Sequence, residues 1–174
     1  MRRWVVVAVV SGLMVTSVWS GSAAAGVAPA RAPTTTGLVL HYTFNNDTGV
    51  SARDSSPTLL HGTYVNTTAA AASTPSVPPL GKAINLVGAN HQYIAVPERN
   101  ALDVDKYTLA AMVRYTGVQN DKTLGRWEVI EKADAYWVNI RTNGKVRVGG
   151  FFGSCTSSGA WKYLDSTTAV PVNT

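Results

Sequence analysis

The stretch YWVNIRTNGKVRV, residues 136–148, decides the architecture. Tyr136, Val138 and Ile140 alternate with Trp137, Asn139 and Arg141, and beyond a polar interval Val146 and Val148 alternate with Lys145 and Arg147. A period of two is the pattern of strands that bury one face. The turn then sets the register. A two-residue turn at Asn143 and Gly144 would pair Ile140 with Arg147 and mix apolar with charged side chains on both faces, which a half-buried sheet does not tolerate. A three-residue loop, Thr142, Asn143 and Gly144, pairs Arg141 with Lys145, Ile140 with Val146 and Val138 with Val148, with Gly144 as the left-handed residue of a bulge. The apolar side chains then share one face. The other carries Trp137, Asn139, Arg141, Lys145, Arg147 and, by the same alternation, Phe151.

The pattern extends in both directions. Short β-branched and aromatic runs at residues 38–44, 62–65, 83–87, 92–96, 108–115, 127–132, 136–141, 145–152 and 163–170 read as strands, separated by clusters of Gly, Asn, Asp, Ser and Pro. No helix of three turns is expected. Many short strands with frequent turns imply a sandwich or a barrel. Residues 66–81, rich in Thr, Ala, Ser and Pro, read as a long exposed loop, since the strand pattern resumes at once beyond them.

The chain has 174 residues, 45% hydrophobic and 14% charged, an ordinary globular mixture of a size for one domain rather than two. Arg2 and Arg3 precede an apolar stretch from Trp4 to Trp19 that ends near the small residues Ala23, Ala24 and Ala25. This is the pattern of a secretory signal peptide over residues 1–25, too short and too diluted by Ser11, Gly12 and Thr16 for a spanning helix. Residues 26–36 read as an Ala/Pro/Thr linker and 37–174 as the folded domain, so the expected product is secreted, with no membrane insertion after cleavage. Once Arg2 and Arg3 are removed, the formal charge of +5 falls to +3, too little to argue for nucleic acid. Secretion permits disulfides, yet Cys155 is the single cysteine. It reads either as a small buried thiol or as half of a bond to another chain or to further sequence; no nucleophile motif surrounds it.

The order of elements resembles the laminin-G-like, concanavalin A-type jelly-roll domains of secreted bacterial proteins. Asp54-Ser55-Ser56 followed by His61-Gly62-Thr63 is similar to that family's Asp-x-Ser and Gly-Thr pair. Tyr93-Ile94-Ala95-Val96-Pro97 is similar to its Tyr-hydrophobic-x-Val-Pro strand, and residues 107–113 to its Phe-Thr-Leu-x-Ala-Trp-Val strand, with Met112 in place of the usual Trp. Val87 stands where an Asp is common and Pro57 where a Gly is usual. The resemblance implies an all-β, two-sheet antiparallel jelly-roll sandwich. Residues 170–174 resemble the segment before the family's last strands, so the domain is expected to be incomplete at its C-terminus.

Aromatic rings offer a flat apolar surface to the C–H faces of sugars, while amide and guanidinium groups fix hydroxyl orientation. Trp137, Asn139, Arg141 and Arg147 are therefore candidate carbohydrate ligands, against the plainer reading of a solvated sheet face. The resemblance also implies a structural calcium, for which Asn46, Asp47 and Asp54 are candidate ligands; the same residue types favour turns on their own account. Of the carboxylates that could act in glycoside hydrolysis, Glu128 and Glu131 are three apart, as are Glu131 and Asp134, so a regular strand would point each pair to opposite faces. The Glu-x-Asp-x-Glu pattern of laminarinase-like enzymes is absent, and His41, His61 and His91 lack metal-ligand spacing. The expectation is a secreted, non-catalytic module that binds a polysaccharide, another glycan or an extracellular protein, as the N-terminal part of a larger protein. The alternatives are an accessory or catalytic domain of a polysaccharide-degrading glycoside hydrolase, and a structural spacer without ligand.

Overall fold

A computed structural model describes residues 37–74, 81–104, 106–117, 125–152 and 161–172. The expected signal peptide, the expected linker and Cys155 lie outside the described residues. The chain folds into two antiparallel sheets. One contains β1 (Ser51–Ala52), β2 (Gly62–Val65) and β3 (Tyr93–Ala95); the other contains β4 (Arg126–Lys132), β5 (Tyr136–Arg141), β6 (Lys145–Phe151) and β7 (Trp161–Ala169), each in sequence order. A single core joins them, with Tyr42, Ala52, Tyr64, Ile94 and Val96 on one side and Val129, Ile130 and Ile140 on the other. Two sheets sharing one apolar interior is the arrangement of a β-sandwich.

The β5–β6 hairpin has the register that its apolar face demands, with Ile140 opposite Val146 and Val138 opposite Val148. Gly144 adopts φ +78° and its N–H donates to the Arg141 carbonyl, closing the loop. Three other expected strands are absent. Residues 38–44 make one isolated bridge, Tyr42 to Asp54, because side chains take over their polar groups: the His41 N–H donates to Asp54, and the Val39 carbonyl accepts from Ser56 and Thr58. Residues 83–87 likewise make one bridge, Ser73 to Ile84, while the Asn85 N–H turns to the Ala72 carbonyl and the Val87 N–H to the Gln92 side chain. Residues 108–115 run without an assigned ladder, yet keep a two-residue period: Leu109 and Ala111 pack on the core and Tyr115 is buried.

The expected loop at 66–81 holds a one-turn helix, α1 (Ala69–Ala72), capped by the Thr68 side chain and anchored by buried Ala69 and Ala72. Gly62 is required where β2 crosses the core. A Cβ there would lie 2.5 Å from Ile94 Cγ2 and 2.9 Å from the Tyr42 hydroxyl. That hydroxyl donates to the Leu60 carbonyl at 2.7 Å, locking the strand entrance to the residue 42 segment.

Over β6 and β7 the apolar face is thinly covered. Val148 and Leu164 are 43% and 75% exposed, beside a groove of about 930 Å³ lined in part by Tyr107, Leu109, Val138 and Phe152. At the other end of the sheet the ammonium of Lys132, buried, pairs with Glu98 and Asp103 and ties the connection after β3 to β4.

Candidate functional site

The outer face of the four-stranded sheet follows from register alone. Reading across β4, β5, β6 and β7, one row is Glu131, Trp137, Gly149 and Tyr163. The next, two residues along β5, is Glu128, Asn139, Arg147 and Asp165. Beyond it Arg126 pairs with Arg141, and Lys145 with Ala169. At the opposite end Phe151 pairs with Trp161. All four expected sugar-contacting residues, Trp137, Asn139, Arg141 and Arg147, therefore share one face.

Trp137 is laid down on the sheet by a glycine. A Cβ at Gly149 would fall 2.8 Å from Trp137 Cε2 and closer still to Cζ2, so the indole occupies the space above β6 that any other residue would fill. Its centroid lies 5.2 Å from the half-exposed Trp161, and Trp161 meets Phe151 edge-on at 5.1 Å. Three rings thus form one continuous apolar surface. Next to it Arg147 is pinned twice: its guanidinium makes two hydrogen bonds to Asp165, at 2.5 and 2.7 Å, and sits 3.8 Å above the centre of the Tyr163 ring.

The expectation for the carboxylates is overturned. A bulge between Glu128 and Ile130 inserts one extra residue, Val129, which turns into the core. Glu128 and Glu131 therefore point to the same face instead of opposite ones. Burial pushes the Glu131 carboxyl above its ordinary value, the charge of Glu128 adds to this, and Arg126 offsets part of it. Glu128 is held by Arg126 through one oxygen only. Its other oxygen, Oε2, and Oδ1 of the cross-strand neighbour Asn139 are both buried with no hydrogen-bond partner. Asn139 is 1% exposed. Asp134 lies off this face, in the β4–β5 turn, with φ +60°.

Of the residues expected to hold calcium, the two carboxylates accept hydrogen bonds from their own chain. Asp54 is buried and accepts from the N–H groups of His41, Ser56 and Leu60 and the hydroxyls of Ser56 and Thr58. Burial alone would raise its pKa; the donors from Ser56, His41 and Leu60 outweigh this and hold it below the usual value. Asp47 accepts from the Arg53 N–H and, at 2.6 Å, from the Tyr64 hydroxyl, whose own pKa is driven up by burial and by that carboxylate. Asn46 is exposed. Among the described residues no group of three or more His, Cys, Asp or Glu is placed to hold a metal ion. His41 and His61 serve the same turn, the first beside Ser55 Oγ at 2.9 Å and the second accepting from the Asp54 N–H at 3.1 Å.

Gly149, Trp161, Tyr163 and Asp165 belong to the outer face but were not read from the sequence, and Glu128 was read only as a carboxylate on the face opposite to Glu131. A signal existed for three of them: Trp161, Tyr163 and Asp165 alternate with period two, as Lys145, Arg147 and Gly149 do. The chain matches no protein-family model, no curated protein and no solved structure.

Proposed function

We propose that this chain is a secreted, laminin-G-like jelly-roll module that binds carbohydrate on the outer face of its four-stranded sheet. The observation that carries the reading is the Trp137 ring laid over Gly149 against Trp161, beside the row of Glu128, Asn139, Arg147 and Asp165. A flat aromatic surface next to fixed hydrogen-bonding groups suits a sugar, whose ring faces are apolar and whose edge carries hydroxyls. Arg147, held by Asp165 and Tyr163, is pre-ordered, so less side-chain entropy is lost on binding.

The test is titration calorimetry with a panel of soluble oligosaccharides. Trp137→Ala and Trp161→Ala are expected to weaken binding at least about tenfold while the chain remains folded by circular dichroism. Unchanged affinity in both variants overturns the reading.

A second reading, glycoside hydrolysis, is favoured by the bulge that brings Glu128 and Glu131 to one face with unlike environments. A retaining mechanism uses one protonated and one ionised carboxyl; burial favours the protonated form of Glu131, and Arg126 pairs with Glu128. Release of reducing ends from a polysaccharide, abolished in Glu128→Gln, would establish it. Absence of release over the same panel would leave binding alone.

A further inference from the structure

We propose that the bare acceptors Glu128 Oε2 and Asn139 Oδ1 form a subsite for an ammonium group, so that the preferred glycan is an amino sugar with a free amine. The inference rests on the carbohydrate reading of the same face and names the ligand class.

Three observations converge. A buried acceptor without a donor costs free energy, and here two stand on directly opposed residues of neighbouring strands. Glu131 adds a second carboxyl to that corner of the face, opposite Trp137 in the cross-strand row. A neutral hydroxyl could satisfy one acceptor with its single proton. An ammonium donates three hydrogen bonds and carries the charge that relieves the repulsion between Glu128 and Glu131.

The surrounding cations do not cancel this preference. Arg147 pairs with Asp165 and Arg126 with Glu128, so each couple is neutral and the negative charge left in this corner is that of Glu131, with Glu128 Oε2 and Asn139 Oδ1 supplying acceptors. Arg141 stands one row farther along β5, opposite Arg126. Asn139 and Trp137 are two residues apart on the same strand, about 7 Å, so a sugar stacked on the indole can turn a ring substituent toward the acceptors. Both acceptors are buried, so entry requires the side chains around them to move; Arg126, which pairs with Glu128, is 35% exposed.

The experiment compares three β-1,4-linked hexamers that differ only at C2: glucosamine, N-acetylglucosamine and glucose. Calorimetry at about pH 5 keeps the free amines charged, since ring oxygens and neighbouring ammonium groups lower their titration below that of an α-amino group, about 7.7 to 8.0. The full chain is expected to bind the glucosamine hexamer at least about tenfold more tightly than the glucose hexamer. Glu128→Gln and, separately, Asn139→Leu should collapse that ratio toward one. Equal affinities for the three hexamers, lost in Trp137→Ala but indifferent to Glu128→Gln, would overturn the subsite and leave the platform standing. Tighter binding of the neutral or acetylated hexamer would also overturn it. If no hexamer bound, the carbohydrate reading would fall and this inference with it.

Discussion

Asp54 and Asn139 are both nearly sealed from solvent, at 3% and 1% exposure, yet they sit in opposite circumstances. Asp54, beside the three-stranded sheet, receives five donors from four residues and leaves neither oxygen idle. Asn139, on the four-stranded sheet, has a bare oxygen next to the bare oxygen of Glu128. Burying a polar group is tolerated when it is hydrogen-bonded and costly when it is not. The first region therefore spends its polar groups on holding the chain together, whereas the second leaves them available to something else. The two regions should respond to mutation in opposite ways.

The largest effect is expected at Asp54. Asp54→Ala strands three backbone N–H groups, of His41, Ser56 and Leu60, and should cost about 3 to 5 kcal/mol in urea melts, enough to unfold a marginal domain. Its folded-state pKa lies below the unfolded value, so the unfolded chain binds the proton first. The stability it contributes is complete above about pH 4 and is lost as pH falls through the lower folded value. Asp54→Asn should flatten that acid limb. A variant as stable as the parent at pH 7 would break the contrast from the first side.

Gly62→Ala should cost about 1 to 3 kcal/mol, because the added methyl meets Ile94 and the Tyr42 hydroxyl inside the core. Gly149→Ala places the same methyl under the Trp137 indole, on the outside of the sheet. There the ring can tilt toward solvent but the Lys162 carbonyl, 2.8 Å from the added methyl, cannot, so the stability cost is again about 1 to 3 kcal/mol and, unlike Gly62→Ala, the variant also loses glycan affinity. Matched glycine variants thus separate a structural close approach from a functional one.

How far the sequence could carry this distinction depends on what each feature writes into it. The β5–β6 register was legible because a slip of one residue would have put Arg147 on the face of Ile140. The same alternation placed Trp137, Asn139, Arg141 and Arg147 together. The bulge was not legible: Val129 and Ile130 as consecutive apolar residues also fit a regular strand with one apolar residue facing out, and tertiary burial of both decides it. Residues 38–44 have the composition of a strand, yet Asp54, Ser56 and Thr58 replace the ladder with side-chain bonds that no local pattern announces. For Asp54 itself the sequence marked the residue but not the five donors it accepts. A carboxylate in a turn looks alike whether its partners are N–H groups or a cation.

The smallest expected change is the sharpest test of the comparison. Asn139→Leu removes a buried oxygen that bonds to nothing and replaces it with a side chain of similar length. Elsewhere in a folded interior the loss of a buried amide destabilises by stranding its partners, but here the residue opposite, Glu128, loses no bond because none was made through Oδ1. The variant should therefore be as stable as the parent within about 1 kcal/mol, or more stable, by urea denaturation at pH 7. A penalty like that of Asp54→Ala would mean that Asn139 anchors the sheet, and the two regions would cease to differ. Undiminished stability with loss of amino-sugar selectivity would mean that the fold carries an energetic cost at this position for which binding, not folding, is the return.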